Sequence, residues 1–122
     1  MNKKELENRL IEFSVRVTQW MENAAKNPTI RHLKEQIIRS SNATALNYGE
    51  AQSAESRKDF IHKVGIVLKE LRETQINLRM VKLLLAHDND GSVDELIKEF
   101  NHLIKDYKIK VWDGNYLPFT KD

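Results

Sequence analysis

Cysteine is missing from this sequence, which excludes disulfide staples, thiolate metal sites and cysteine nucleophiles together. Glycine is scarce, with four residues in 122, and none is grouped into a phosphate-binding loop. The GxSxG and HExxH patterns of hydrolases are missing as well. No apolar run is long enough for a membrane span, and the N-terminal MNKKELENRL is charged throughout, unlike a signal peptide. A cytoplasmic protein with no membrane contact is the expectation. Proline stands at positions 28 and 118, so none interrupts residues 56–86.

Charge is plentiful but nearly balanced, at +2 overall. Residues 1–86 carry fifteen Lys and Arg against ten Asp and Glu, whereas residues 87–122 carry five against eight. A mildly basic body suits a polyanion partner without amounting to a nucleic-acid signature. Taken alone, it describes ordinary solvated helix faces. The length is that of one domain able to bury roughly two-thirds of its unfolded surface.

Within residues 56–86, Phe60, Val64, Val67, Leu71, Thr74, Leu78, Val81 and Leu85 recur at spacings of four and three, one face of a helix about 45 Å long. Ser56 followed by Asp59 forms a capping-box-like start. Residues 4–25 repeat the pattern with Leu6, Leu10, Phe13, Val17, Trp20 and Ala24, and Asn27-Pro28 ends it. A second helix from Pro28 or Thr29 to about Ser53 carries Ile30, Leu33, Ile37, Ser41, Thr44 and Tyr48 inward. Its later half is small and polar, which predicts a close helix–helix approach or a kink. The short link Ala54-Glu55 makes the second and third helices antiparallel neighbours.

Beyond the turn at 87–91, Ser92 with Glu95 predicts another capping box, and a helix over 93–107 buries Val93, Leu96, Ile97, Phe100, Ile104 and Tyr107. The fold class is therefore all-α, an up-and-down antiparallel four-helix bundle over residues 1–107. Residues 108–122 read as a short extended C-terminal tail, since Ile109 and Val111 alternate with lysines. Trp112, Tyr116, Leu117 and Phe119 predict that part of this tail docks on its own bundle or on a neighbour.

Catalytic constellations do not emerge. Two carboxylate-x-x-histidine pairs, Asp59 with His62 and Glu99 with His102, have the spacing of a di-metal bundle motif. At about 100° per residue, however, both pairs fall away from their core stripes. The DNDG turn is too short for a calcium-binding loop, and Ser40 and Ser41 have no adjacent base. No catalytic residue, metal or cofactor is assigned, and the chain is not expected to be an enzyme.

Apolar residues exceed what one core can hold. Asn42, Leu46 and Gly49 lie roughly 120–180° round the second helix from Ile37, and Ile76, Met80, Leu83 and Leu84 lie beyond about 110° from the stripe of the third. A helix apolar around most of its girth is buried on more than one side, so these seven residues are assigned to an oligomer interface. Asn47, Glu50 and Glu73 sit on the helix flanks, where a polar network would fix packing between helices two and three or across subunits.

The run SSNATALNYGEAQSAESRKDFIHKVGIVLKELRETQINL resembles the four-helix-bundle family of proteins encoded within intervening sequences of bacterial 23S ribosomal RNA genes. Ser41, Asn42, Asn47, Glu50, Ser56, Asp59, Phe60, Glu70, Glu73 and Thr74 carry the resemblance, which is strongest over residues 36–85. The family's E-G pair is replaced here by Glu50-Ala51, with Gly49 before it. The resemblance implies a bundle assembling as a homopentamer, and a related accessory protein of diversity-generating retroelements binds nucleic acid through a basic surface.

The function expected on that basis is a non-catalytic scaffold binding RNA or DNA non-specifically through phosphates. Lys58, Lys63, Lys69, Arg72, Arg79 and Lys82 of the basic third helix are the candidate contacts, with Arg79 placed equally to cross a subunit interface. The alternative is an oligomer that recruits a protein partner through the aromatic anchors Trp112, Tyr116 and Phe119.

Overall fold

The two long helices begin in the same way. Asn2 Oδ1 accepts a hydrogen bond from the amide of Glu5 at 2.9 Å, and Ser56 Oγ accepts one from the amide of Asp59 at 3.0 Å. Each satisfies a first-turn donor that the helix itself cannot. They open α1 (Lys3–Ala24) and α3 (Arg57–Leu84) in a computed structural model that describes residues 2–85 and 90–112. Between them lies α2 (Lys34–Gln52), and α4 (Ser92–Tyr107) follows α3.

Each helix packs against the next in sequence, α2 with α3 most extensively, and α1 meets α4 to close the square. Short links make successive helices antiparallel, so the expected up-and-down four-helix bundle is the fold. Its core takes the stripes Leu6, Leu10, Phe13, Val17 and Met21 from α1, and Ile37, Tyr48 and Ala51 from α2. From α3 it takes Phe60, Val64, Val67, Leu71, Leu78 and Val81, and from α4 Val93, Leu96, Phe100, Leu103 and Tyr107. Phe13 and Phe100 stack at 4.7 Å between ring centroids across the bundle. Tyr107 donates its hydroxyl to the Val64 carbonyl at 2.6 Å, satisfying that polar end inside the core. No described helix is long and apolar enough to cross a membrane.

Several local expectations are corrected. The second helix begins at Lys34 rather than at Pro28 or Thr29, because Asn27 Oδ1 captures the Thr29 amide and a 3₁₀ turn over Arg31–Leu33 intervenes. Ile30 is nevertheless buried. Ser92 is the first residue of α4, not its cap. Its amide and hydroxyl both donate to Asp90, and Gly91 caps the helix at φ 89°. On α4 the core position belongs to Leu103, while Ile97 and Ile104 pack half-buried beside it.

The tail is not extended at its start either. Lys108–Trp112 form a π-helical turn continuing α4, and this turns Val111 into the core. The expected roles of Tyr116, Leu117 and Phe119, and the turn at 86–89, lie outside the described residues, as does the side chain of Trp112.

Candidate nucleic-acid interface

Two contacts fix the register of α3 against α4. Gln75 Nε2 donates to Asn101 Oδ1 at 2.5 Å, and Lys82 pairs with Asp94 at 2.7 Å. Going down α3 is therefore going up in number along α4, which sets Lys98 near Arg79, Lys105 near Arg72 and Lys108 near Lys69. Lys58, Lys69, Arg72, Arg79 and Lys82 are exposed on α3, Lys98 and Lys105 are exposed on α4, and half-buried Lys108 opens the turn that follows it. Two exposed carboxylates accompany them, Asp94, which pairs with Lys82, and Glu95, three residues before Lys98. The result is a cationic strip shared by two helices.

Of the six cations read from the sequence, Lys63 is set apart. It turns towards α2, 3.8 Å from Glu50 and 3.6 Å from Asp59. Lys82 is half-exposed in its pair with Asp94, a contact of the kind worth no more than about 1 kcal/mol. Lys58, Lys69, Arg72 and Arg79 are exposed and make no ion pair among the described residues. Lys98, Lys105 and Lys108 escaped the sequence reading because α4 as a segment is acidic. Their spacing at i, i+7 and i+10 was the available signal, since it places all three on one helical face.

Between α2 and α3 runs a buried polar seam. Ser40 and Thr74 share a hydrogen bond at 2.7 Å, and Thr74 also donates to its own helix at the Glu70 carbonyl. Glu70 is 8% exposed. Burial, then the neighbouring Glu73 carboxylate, push its pKa above the usual range, with the Arg39 guanidinium and Lys69 pulling the other way. Arg39 reaches Glu73 at 2.6 Å and Glu70 at 3.5 Å. Asn77, one turn further on, buries its side-chain amide without a hydrogen-bond partner among the described residues.

Of the network expected from the sequence, Glu73 crosses to α2. Glu50 stays largely exposed, and Asn47 closes on the Ala43 carbonyl of its own helix at 2.8 Å. Tyr48 sits at the foot of α2 with its hydroxyl buried. Burial, then the Glu7 carboxylate, raise its pKa to about 12 against the nearby Gln52 side chain.

Leu46, Ile76, Met80, Leu83 and Leu84, assigned to an oligomer interface, are exposed in the isolated chain, Leu83 by 76%. Asn42 is tied by hydrogen bond to Ser14 of α1. Gly49 lies away from Leu46, beside Glu50, Ser53, Asp59 and Lys63, and nothing in the chain comes within 4 Å of where a Cβ would stand. Ile11 and Val15 of α1, not singled out in the sequence, add to the exposed apolar surface. The carboxylate–histidine pairs face outward. Asp59 meets Lys63, and Glu99 meets Arg16. Among the described residues no group of three or more potential ligands is arranged to hold a metal.

The family model described as 23S rRNA-intervening sequence protein matches residues 3–108. A crystal structure of a protein with unknown function from the S23 ribosomal protein family of Bacteroides thetaiotaomicron is similar at a TM-score of 0.75 and 25% identity. The match covers 84% of this chain and 94% of that one. No significant match is found among curated proteins.

Proposed function

Since the chain belongs to the 23S rRNA-intervening sequence protein family, we propose that it is a non-catalytic, self-associating scaffold that binds RNA or DNA through the phosphate backbone. The observation that carries this reading is the charge imbalance of the α3–α4 side, where seven cations outside any described ion pair, and Lys82 beside them, outnumber Asp94 and Glu95. Along α3 alone, Lys58 to Arg72 spans about 21 Å, roughly the axial rise of six phosphates on one strand of a duplex. Lysines and arginines spread along rigid helices fit the backbone without reading bases, so binding tolerates sequence. Self-association rests on the exposed Ile11, Val15, Leu46, Ile76, Met80, Leu83 and Leu84, and five copies is the number the family resemblance implies.

The test is fluorescence polarisation of labelled structured RNA, single-stranded RNA and duplex DNA at two salt concentrations, with Lys69, Lys105 and Lys108 changed together to Gln. Binding is expected to fall steeply with salt. In the triple variant the slope on duplex DNA should be shallower by about 0.9 for each phosphate that the variant no longer neutralises. Absence of binding to all three probes at low salt would overturn the reading and favour a protein-recruiting oligomer.

A further inference from the structure

The seam between α3 and α4 is not filled along its whole length. Gln75, Arg79, Lys82 and Leu83 of α3, with Ile97 and Asn101 of α4, line a hollow of about 510 Å³. The Gln75–Asn101 amide bond crosses the seam at one end of it, and the Lys82–Asp94 ion pair crosses near the other. Seven residues of α3 separate these two rungs, about 10 Å of helix. Half-buried Ile97 lies between them, packed against the core. The space therefore combines an apolar floor, a polar end and a cationic lip.

We infer that this hollow takes the base of one unpaired nucleotide, so that the protein prefers a folded RNA carrying a bulge or loop to an unbroken duplex. The inference rests on the phosphate binding proposed above and adds what the strip does between its cations. The hollow has room for a purine ring system, and Ile97 and Leu83 offer it aliphatic walls. Arg79 is exposed beside them, and its planar guanidinium can lie on the ring as arginine does on unpaired bases. The Gln75–Asn101 bond uses one polar atom of each amide, which leaves the Gln75 oxygen and the Asn101 nitrogen to meet a base edge. Turning both amides over exchanges donor and acceptor, so the rung suits different bases without choosing a sequence.

A paired base is held in the stack of its duplex and does not enter a space sunk between two helices; only its phosphates reach the cations. An unpaired nucleotide is free to turn out. The register that Gln75–Asn101 and Lys82–Asp94 impose sets exposed Lys98 level with Arg79 at the lip, in position for that nucleotide's own phosphate. Lys105 and Arg72 stand seven residues away along their helices, about 10 Å further, and continue the track for a flanking phosphate.

The test compares three labelled RNAs by fluorescence polarisation: a perfect duplex, the same duplex with one bulged nucleotide, and that bulge with its base removed but its backbone kept. The bulged RNA should bind roughly tenfold tighter than the perfect duplex, the order expected of one stacked base. The abasic bulge should lose that gain. Arg79→Lys keeps the charge but not the planar group, and its site is exposed, so helical circular dichroism should be unchanged. In this variant the preference for the bulged RNA over the perfect duplex should shrink to that of the abasic one. A bulged RNA bound no tighter than the duplex, an abasic bulge bound as tightly as the complete one, or a preference untouched by Arg79→Lys would overturn the base site and leave phosphate binding standing. Failure of all three RNAs to bind at low salt would overturn both.

Discussion

Glu70 shows how one side chain couples this fold to pH. Its carboxyl is enclosed between α2 and α3, and its pKa stands above the ordinary 4.5. The folded chain therefore holds the Glu70 proton more tightly than the unfolded chain does. Its favourable contribution is complete below the unfolded value and is lost as pH rises through the raised folded value. In Glu70→Gln a neutral amide replaces the titrating group while Arg39 keeps Glu73. Urea midpoints measured between about pH 4.5 and pH 7 should show the unaltered protein losing ground to the variant as pH rises. Parallel curves would mean that the Arg39 guanidinium compensates the burial in full.

At the scale of the element, the start of α4 depends on a conformation rather than on a cap side chain. Gly91 stands at φ 89°, where a Cβ is strained regardless of space, and nothing within 4 Å crowds the position. Ser92 is already committed to Asp90, so it gives the helix no cap in exchange. Gly91→Ala should destabilise the bundle by about 1–2 kcal/mol, and Gly91→Asn by less, because asparagine tolerates the left-handed region. Chemical denaturation of the two variants tests this; an alanine variant as stable as the parent would show that the turn reorganises.

For the whole molecule, the self-association proposed for the exposed Leu46, Ile76, Met80 and Leu83 predicts that stability depends on concentration. If copies bury these residues against one another, mass action favours the folded, associated state, and the thermal midpoint should climb as protein concentration is raised about a hundredfold. Leu83→Glu should abolish that climb without altering the midpoint of the dilute chain. A midpoint independent of concentration in the unaltered protein would mark a self-sufficient monomer.

The stripes at spacings of four and three were legible because helical period is a local property, and a bundle follows once such stripes are joined by short links. Ser56 and Asp59 likewise announced the start of α3 from sequence neighbours alone. The sequence by itself thus determined the four helices, their order and the family. Only the tertiary structure decided which flank of each helix meets a neighbour and at what level. That choice put Glu70 and Asn77 inside, chose Leu103 over Ile104 for the core and added Ile11 and Val15 to Leu46. It also carried the α4 lysines, which belong to an acidic segment, onto the basic face of α3. Such pairings depend on the register between helices, which side-chain packing sets across distances no periodicity records.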